Sequence, residues 1–273
     1  MKSSQVSIGI YDSGVGGLTV WYALKKLIKQ DLVYFGDTAH IPYGEKTKEQ
    51  IIFYSQTIID FLKKQQVGLI VAACNTSSAL ALPSLQCSVS LPIFGVIIPA
   101  VQKGIEATHN KKVGLIATVG TIDSGSYQKH FSSMAPDVKL IPQKCPKLVP
   151  LIESGKLDGA EVNGVLHEYL EPLLEKGIDT LILGCTHYPF LLRPIREIIG
   201  PKITIIDPAW QTARNVREWL IAHNYTDSML PTSDEFWTSG DPQEFQKKAE
   251  RFIGRLIDTV NYLPFGEETM IYE

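Results

Sequence analysis

The sequence lacks several things, and each absence closes off a class of protein. Neither sign of charge dominates: 26 Lys and Arg face 29 Asp and Glu, a net of -3 with a pI of about 6.1. No basic field is therefore available for a phosphate backbone, and nucleic acid is not an expected partner. No apolar run approaches the roughly 18–20 residues that a membrane span needs. The 38 residues 65–102 hold no Asp, Glu, Lys or Arg, but Asn75, Thr76, Ser77, Ser78, Pro83, Gln86 and Pro92 interrupt them. That stretch reads as two buried strands with their turns, so no membrane partner is expected. Residues 1–6 show no charged segment leading into an apolar one; no secretion signal is expected, and a cytoplasmic, reducing compartment follows.

Cysteine is scarce and unpaired in pattern, with four residues at 74, 87, 145 and 185. A reducing compartment argues against disulfides. No C-x-x-C occurs and no His stands at a finger-like spacing, so no metal site is expected. Cys87 and Cys145 read as small buried apolar residues. Cys74 and Cys185 take their meaning from their neighbours.

What is present is enough for a large core, since 44% of 273 residues are hydrophobic. Short apolar runs at 6–10, 32–35, 68–73, 93–98, 113–117, 138–141, 180–183 and 203–206 lack in/out alternation, as parallel strands covered on both faces do. Helical patterns stand between them. Thr47-x-x-Gln50 has the form of a capping box ahead of Ile51, Tyr54, Ile58, Ile59 and Leu62. The class is α/β. Eight such units suit a (βα)8 barrel, but the strand ends repeat after four: Gly9-Ile10 as Gly114-Leu115, Ala73-Cys74-Asn75-Thr76 as Gly184-Cys185-Thr186, and Ile98-Pro99-Ala100 as Asp207-Pro208-Ala209, at offsets of 105, 111 and 109. Two similar α/β halves follow. Residues 210–273 do not repeat and are expected to pack back on one half.

Ligands of open parallel sheets bind beyond the carboxyl ends of the strands. After the first run comes Asp12-Ser13-Gly14-Val15-Gly16-Gly17, a turn with amides that can hold an anion at a helix start; it is neither G-x-G-x-x-G nor a P-loop. After the third run stands Cys74-Asn75-Thr76 and after the seventh Cys185-Thr186-His187, each placing a thiol near a helix start, where thiolate is stabilised. Two thiols opposed across a cleft suit removal of a proton from one face of a carbon acid and its return to the other. His187 can support Cys185. Ser13, Asn75, Thr76, Thr118, Thr121 and Thr186 are neutral donors for the carbanion. Glu153 and Asp37 read equally as proton-tuning groups or as solvated loop acids.

These segments, with Gly36-Asp37-Thr38, Pro42-Tyr43-Gly44 and Pro150-Leu151-Ile152-Glu153, closely resemble bacterial glutamate racemase in order from about residue 8 to 215. The resemblance implies an isomerase: a cofactor-independent amino-acid racemase that interconverts L- and D-glutamate and supplies the D-amino acid for peptidoglycan, hence a part in cell-wall biogenesis and cell shape. It implies that Cys74 acts on the D-enantiomer and Cys185 on the L-enantiomer, that Asp12, Glu153 and His187 assist, and that Asp12, Ser13, Tyr43, Gly44, Asn75, Thr76, Thr186 and His187 hold the substrate. It further implies two parallel-sheet α/β sandwich domains related by a pseudo-twofold, 1–97 with 210–273 and 98–209, with the site in the cleft between them. A homodimer is compatible with this reading. Aspartate or hydantoin racemisation, a pyridoxal enzyme, and a non-catalytic gyrase-binding regulator are the other readings.

Overall fold

The computed structural model describes residues 6–225, 232–254, 257 and 259–265. Its strands are β1 (Ile8–Asp12), β2 (Leu32–Gly36), β3 (Leu69–Ala72), β4 (Ile93–Gly95), β5 (Lys112–Ala117), β6 (Lys139–Lys144), β7 (Thr180–Gly184), β8 (Thr204–Ile206), β9 (Glu235–Thr238) and β10 (Val260–Tyr262). They form two parallel sheets, ordered β10-β9-β2-β1-β3-β4 and β6-β5-β7-β8. Two separate sheets exclude the barrel. The repeated plan is explicit: β2-β1-β3-β4 has the same order as β6-β5-β7-β8, strand for strand. β1, β2, β3 and β7 are buried along their whole length because helices cover both sheet faces.

The helices carry their signals locally. Thr47 accepts from the Gln50 N–H while Gln50 returns a bond to the Thr47 N–H, so the expected capping box starts the Lys48–Lys64 helix; such a cap contributes about 1 kcal/mol. Ile51, Tyr54, Ile58, Ile59 and Leu62 are fully buried, each side chain stabilising the fold by roughly 1.5–3 kcal/mol through lost contact with water.

Two expectations, the end of the fourth strand and the burial of Cys87, are corrected, and the segment expected to pack back on one half does so. The fourth strand stops at Gly95 rather than 98, and a helix runs over Ile97–Ala107. Pro99 fits there because N–H groups in a first helical turn have no partner within the helix; the apolar run continued only because the helix is itself buried. Residues 235–238 and 260–262, unmarked by the repeat, add β9 and β10 to the open edge of β2. Cys87 is exposed, because Leu82 and Leu85 direct the Leu82–Ser88 helix inward on another face, whereas Cys145 is buried as expected.

The chain changes halves twice. The Ile97–Ala107 helix leaves β4 and packs with Val113, Leu115 and Ile182 of the second sheet. The Pro208–Ala222 helix leaves β8 and packs Ala209, Ala213, Val216 and Leu220 into the first core. In each sheet the order reverses beside the first strand, at β1/β3 and at β5/β7. The crevice for a ligand lies at such switch points.

Candidate active site

Both switch points end in the residues singled out by the sequence. Cys74 follows β3 as N-cap of the six-residue Asn75–Leu80 helix, and Cys185 follows β7 ahead of a short 3-10 turn, Tyr188–Leu191. One cavity is lined from the first half by Ser13, Tyr43, Gly44, Cys74, Asn75 and Thr76 and from the second by Thr118, Cys185, Thr186 and His187. Its volume is only about 20 Å³, room for about one water molecule. The structure is therefore a closed form in which the two halves meet across the site.

Asp12 ends β1 and is fully buried. Its Oδ2 accepts from the N–H groups of Gly14 at 3.2 Å and Gly17 at 2.9 Å, and its Oδ1 accepts from the Thr186 hydroxyl at 3.2 Å. Two amides of the glycine loop, those of Gly14 and Gly17, are thus taken by the loop's own carboxylate. Gly14, Gly16 and Gly17 all have φ outside the left-handed region, so turn strain does not explain them. Close approach does: a Cβ on Gly16 would lie 2.5 Å from Thr186 Oγ1 and 2.6 Å from His187 Nδ1. The first half rests directly on the Cys185 loop there.

Around Cys185, His187 Nδ1 lies 3.8 Å from the sulfur and His187 Nε2 is 2.7 Å from Glu153 Oε1. Glu153 Oε2 accepts from Lys248 Nζ at 2.7 Å. Burial would lower the His187 pKa, but Cys185 and Glu153 outweigh it and hold it at about 10. Burial would likewise raise Glu153, yet the bonds and charges of His187 and Lys248 hold it down at about 2. At neutral pH an imidazolium faces the Cys185 sulfur.

Around Cys74 the field is reversed. Burial pushes its thiol up to about 12, the Asp12 charge adds to this, and the Ser77 N–H and hydroxyl oppose it. Making thiolate there at pH 7 costs roughly 7 kcal/mol, so the helix start that was expected to activate Cys74 does not overcome burial in the closed form. Its sulfur lies 3.9 Å from the Ser13 hydroxyl. Burial also raises Asp12, partly offset by His187 and by the Gly17, Gly14 and Thr186 donors.

The neutral donors are held across the two halves. Tyr127 donates to Asn75 Oδ1 at 2.7 Å, which fixes the orientation of the Asn75 amide at the cavity wall. The hydroxyls of Thr76, Thr118 and Thr121 form a triangle with sides of 3.0, 3.2 and 3.0 Å. Gly44 is pressed against Thr118, whose Cβ would lie 2.8 Å from an added Cβ. Neither acid left open by the sequence is solvated. Asp37 is buried and accepts from Tyr43 at 2.5 Å and Ser239 at 2.5 Å, with His40 Nδ1 at 2.7 Å, and so fixes the Tyr43 ring at the cavity wall. The tyrosine hydroxyl is thereby engaged away from any ligand.

Sequence reading missed Lys248, Tyr127 and Ser239. Lys248 lies on a polar helix that reads as a solvated face, and the other two act from more than 50 residues away. Among the described residues no group of three or more His, Cys, Asp and Glu is gathered as a metal site, and no helix is long and apolar enough to cross a membrane.

Two pseudo-repeated parallel-sheet halves with a cysteine presented from each define a class, and comparison with known proteins agrees with it. The chain belongs to the Asp/Glu/Hydantoin racemase family, whose model matches residues 21–216. Within that family it is similar to the glutamate racemase of Enterococcus faecalis, at 40% identity over 257 residues, 92% of this chain and 93% of the relative. The solved structure of a glutamate racemase isoform from Bacillus anthracis matches at a TM-score of 0.92 and 36% identity, covering 96% of this chain and 98% of that one. Francisella tularensis glutamate racemase, solved in complex with D-glutamate, matches at 0.87 and 32% identity, covering 95% and 97%.

Proposed function

We propose that the protein is a cofactor-independent isomerase that interconverts L- and D-glutamate by exchange of the α-proton between two cysteines, supplying D-glutamate for peptidoglycan. The observation that carries this is the placement of Cys74 and Cys185 at equivalent strand ends, lining one cavity from opposite halves. The likeness to glutamate racemases along nearly the whole chain supports glutamate as substrate over aspartate or a hydantoin. The place of action in this reading is the cytoplasm.

One sulfur, as thiolate, takes the α-proton, and the electron pair left on carbon delocalises into the α-carboxylate. The opposite thiol then delivers its proton to the other face of that carbon. The enantiomer leaves with the thiol and thiolate exchanged between the two cysteines, and proton exchange with solvent restores the starting pair for another turnover in the same direction. With His187 beside Cys185 and burial holding Cys74 as thiol, this proposal assigns deprotonation of L-glutamate to Cys185 and protonation of the intermediate to Cys74. His187 and Glu153 support Cys185, while Asp12 orders the β1 loop against Thr186 and raises Cys74. Ser13, Asn75, Thr76 and Thr186 supply donors, with Tyr43 and Gly44 shaping the wall. Positioned acid–base groups contribute about 10² to 10⁴ in rate, so the donors around the carboxylate supply much of the rest.

The 20 Å³ cavity requires the halves to part before glutamate enters. Residues 1–97 with 210–273 move as one unit and 98–209 as the other in this proposal. Circular dichroism with L-glutamate and L-aspartate as separate substrates tests the reading. Turnover of glutamate in both directions is expected, and no change of its optical signal would end the proposal.

A further inference from the structure

The groups behind Cys185 are gripped by a helix whose own core contacts lie in the other half. The Pro242–Ile253 helix places Phe245 and Ala249 in the core of the six-stranded sheet. Its residues 248, 251 and 252, spaced i, i+3 and i+4 and so on one face, reach across instead. Lys248 Nζ donates to Glu153 Oε2 at 2.7 Å, Arg251 Nη2 donates to the Gly155 carbonyl at 2.6 Å, and the Phe252 ring stacks on Phe190 with centroids 4.2 Å apart. Glu153 and Gly155 lie at the end of the Leu148–Glu153 helix, and Phe190 sits in the turn that follows His187. One helical face therefore holds both segments that support Cys185.

We infer that Lys248 is a positioning residue for racemisation: by holding one oxygen of Glu153, it keeps the other on His187, and the imidazole is thereby aimed at Cys185. This rests on the reading of the site given above. A carboxylate with a single partner can rotate and trade its oxygens. One with a charged donor on each oxygen has a single low-energy orientation. The pair is also shielded, with Glu153 15% and Lys248 37% exposed, so it is screened less than a surface ion pair. The ionisable groups facing the His187–Glu153 pair are Cys185 from the same loop, Asp12 from the end of β1, Tyr34 from β2 and Lys248 itself.

The test uses the full chain with Lys248→Met, Lys248→Arg, Glu153→Gln and the Met/Gln double variant. Lys248→Met is expected to lower kcat/KM about tenfold, and equally for both enantiomers, since their equilibrium constant is one; Lys248→Arg restores most of it. In the Glu153→Gln background the Met substitution is expected to add no further loss. In substrate-free protein, NMR of the histidine rings is expected to show the His187 titration midpoint about one pH unit lower in Lys248→Met, because Glu153 leaves the ring. An unchanged or raised midpoint, or an equal tenfold loss in the Glu153→Gln background, overturns the inference. The titration needs no substrate, so a wild-type protein inert toward glutamate would sink the functional reading while the midpoint still decides the role of Lys248.

Discussion

Cys74 and Cys185 end corresponding strands of two halves with one topology, yet they sit in opposite electrostatic surroundings. The strand beside Cys74 ends in buried Asp12; the strand beside Cys185 ends in Ala117. The Cys185 loop instead carries His187, tied through Glu153 to Lys248. Repetition of the fold thus sets where the two sulfurs stand, and unrepeated neighbours set the charges that each one faces.

The severest way to break the comparison is to remove either sulfur. Cys74→Ala and Cys185→Ala should each lower turnover of both enantiomers by about 10³-fold or more, measured by circular dichroism at saturating substrate. Substantial activity in either variant would contradict the exchange between two bases. Gly16→Ala should act next most strongly and on the Cys185 side alone. The new Cβ must displace Thr186 and His187, and a shift of about 1 Å in a catalytic group can cost about 10²-fold. A crystal structure of this variant with an undisturbed His187 would refute the close-approach account.

Glu153→Gln probes the charge relay through its pH dependence. The His187 pKa of about 10 lies above its ordinary 6.5, so its contribution to stability is complete below about 6.5 and is lost as pH rises through about 10. Glu153, held near 2 against an ordinary 4.5, contributes above 4.5 and loses that contribution as pH falls through about 2. Wild type should therefore lose more unfolding free energy than Glu153→Gln between pH 7 and 10 in urea titrations. Equal losses would show that the His187–Glu153 pair is not coupled to folding. The smallest effects belong to the other two cysteines: Cys87→Ala should leave activity and stability unchanged, and Cys145→Ala should cost about 1 kcal/mol of stability with activity retained.

Much of this was legible locally. Uninterrupted apolar runs marked β1 to β8, most fully at β1, β2, β3 and β7, because strands covered on both faces have no polar side to alternate with. Residues at strand ends then pointed to Asp12, Cys74, Cys185 and His187 because parallel sheets open their crevices there. β9 and β10 were not legible, being four and three residues long and defined only by the open edge of β2. Glu153 and Asp37 were ambiguous because a carboxylate in a loop looks the same whether or not its partners come from elsewhere in the chain.

By itself the sequence determined the α/β class, the doubled plan and the two strand-end thiols, which follow from apolar runs along single segments and from the recurrence of strand ends about 105–111 residues apart. Tertiary structure alone decided how those thiols differ. Burial raised Cys74, the missing Cβ of Gly16 let the first half rest on His187, and Lys248 reached Glu153 across 95 positions of chain. Proton affinity depends on which charges and how much water surround a group. Those surroundings are assembled by contacts between segments far apart in sequence, and no single segment encodes them.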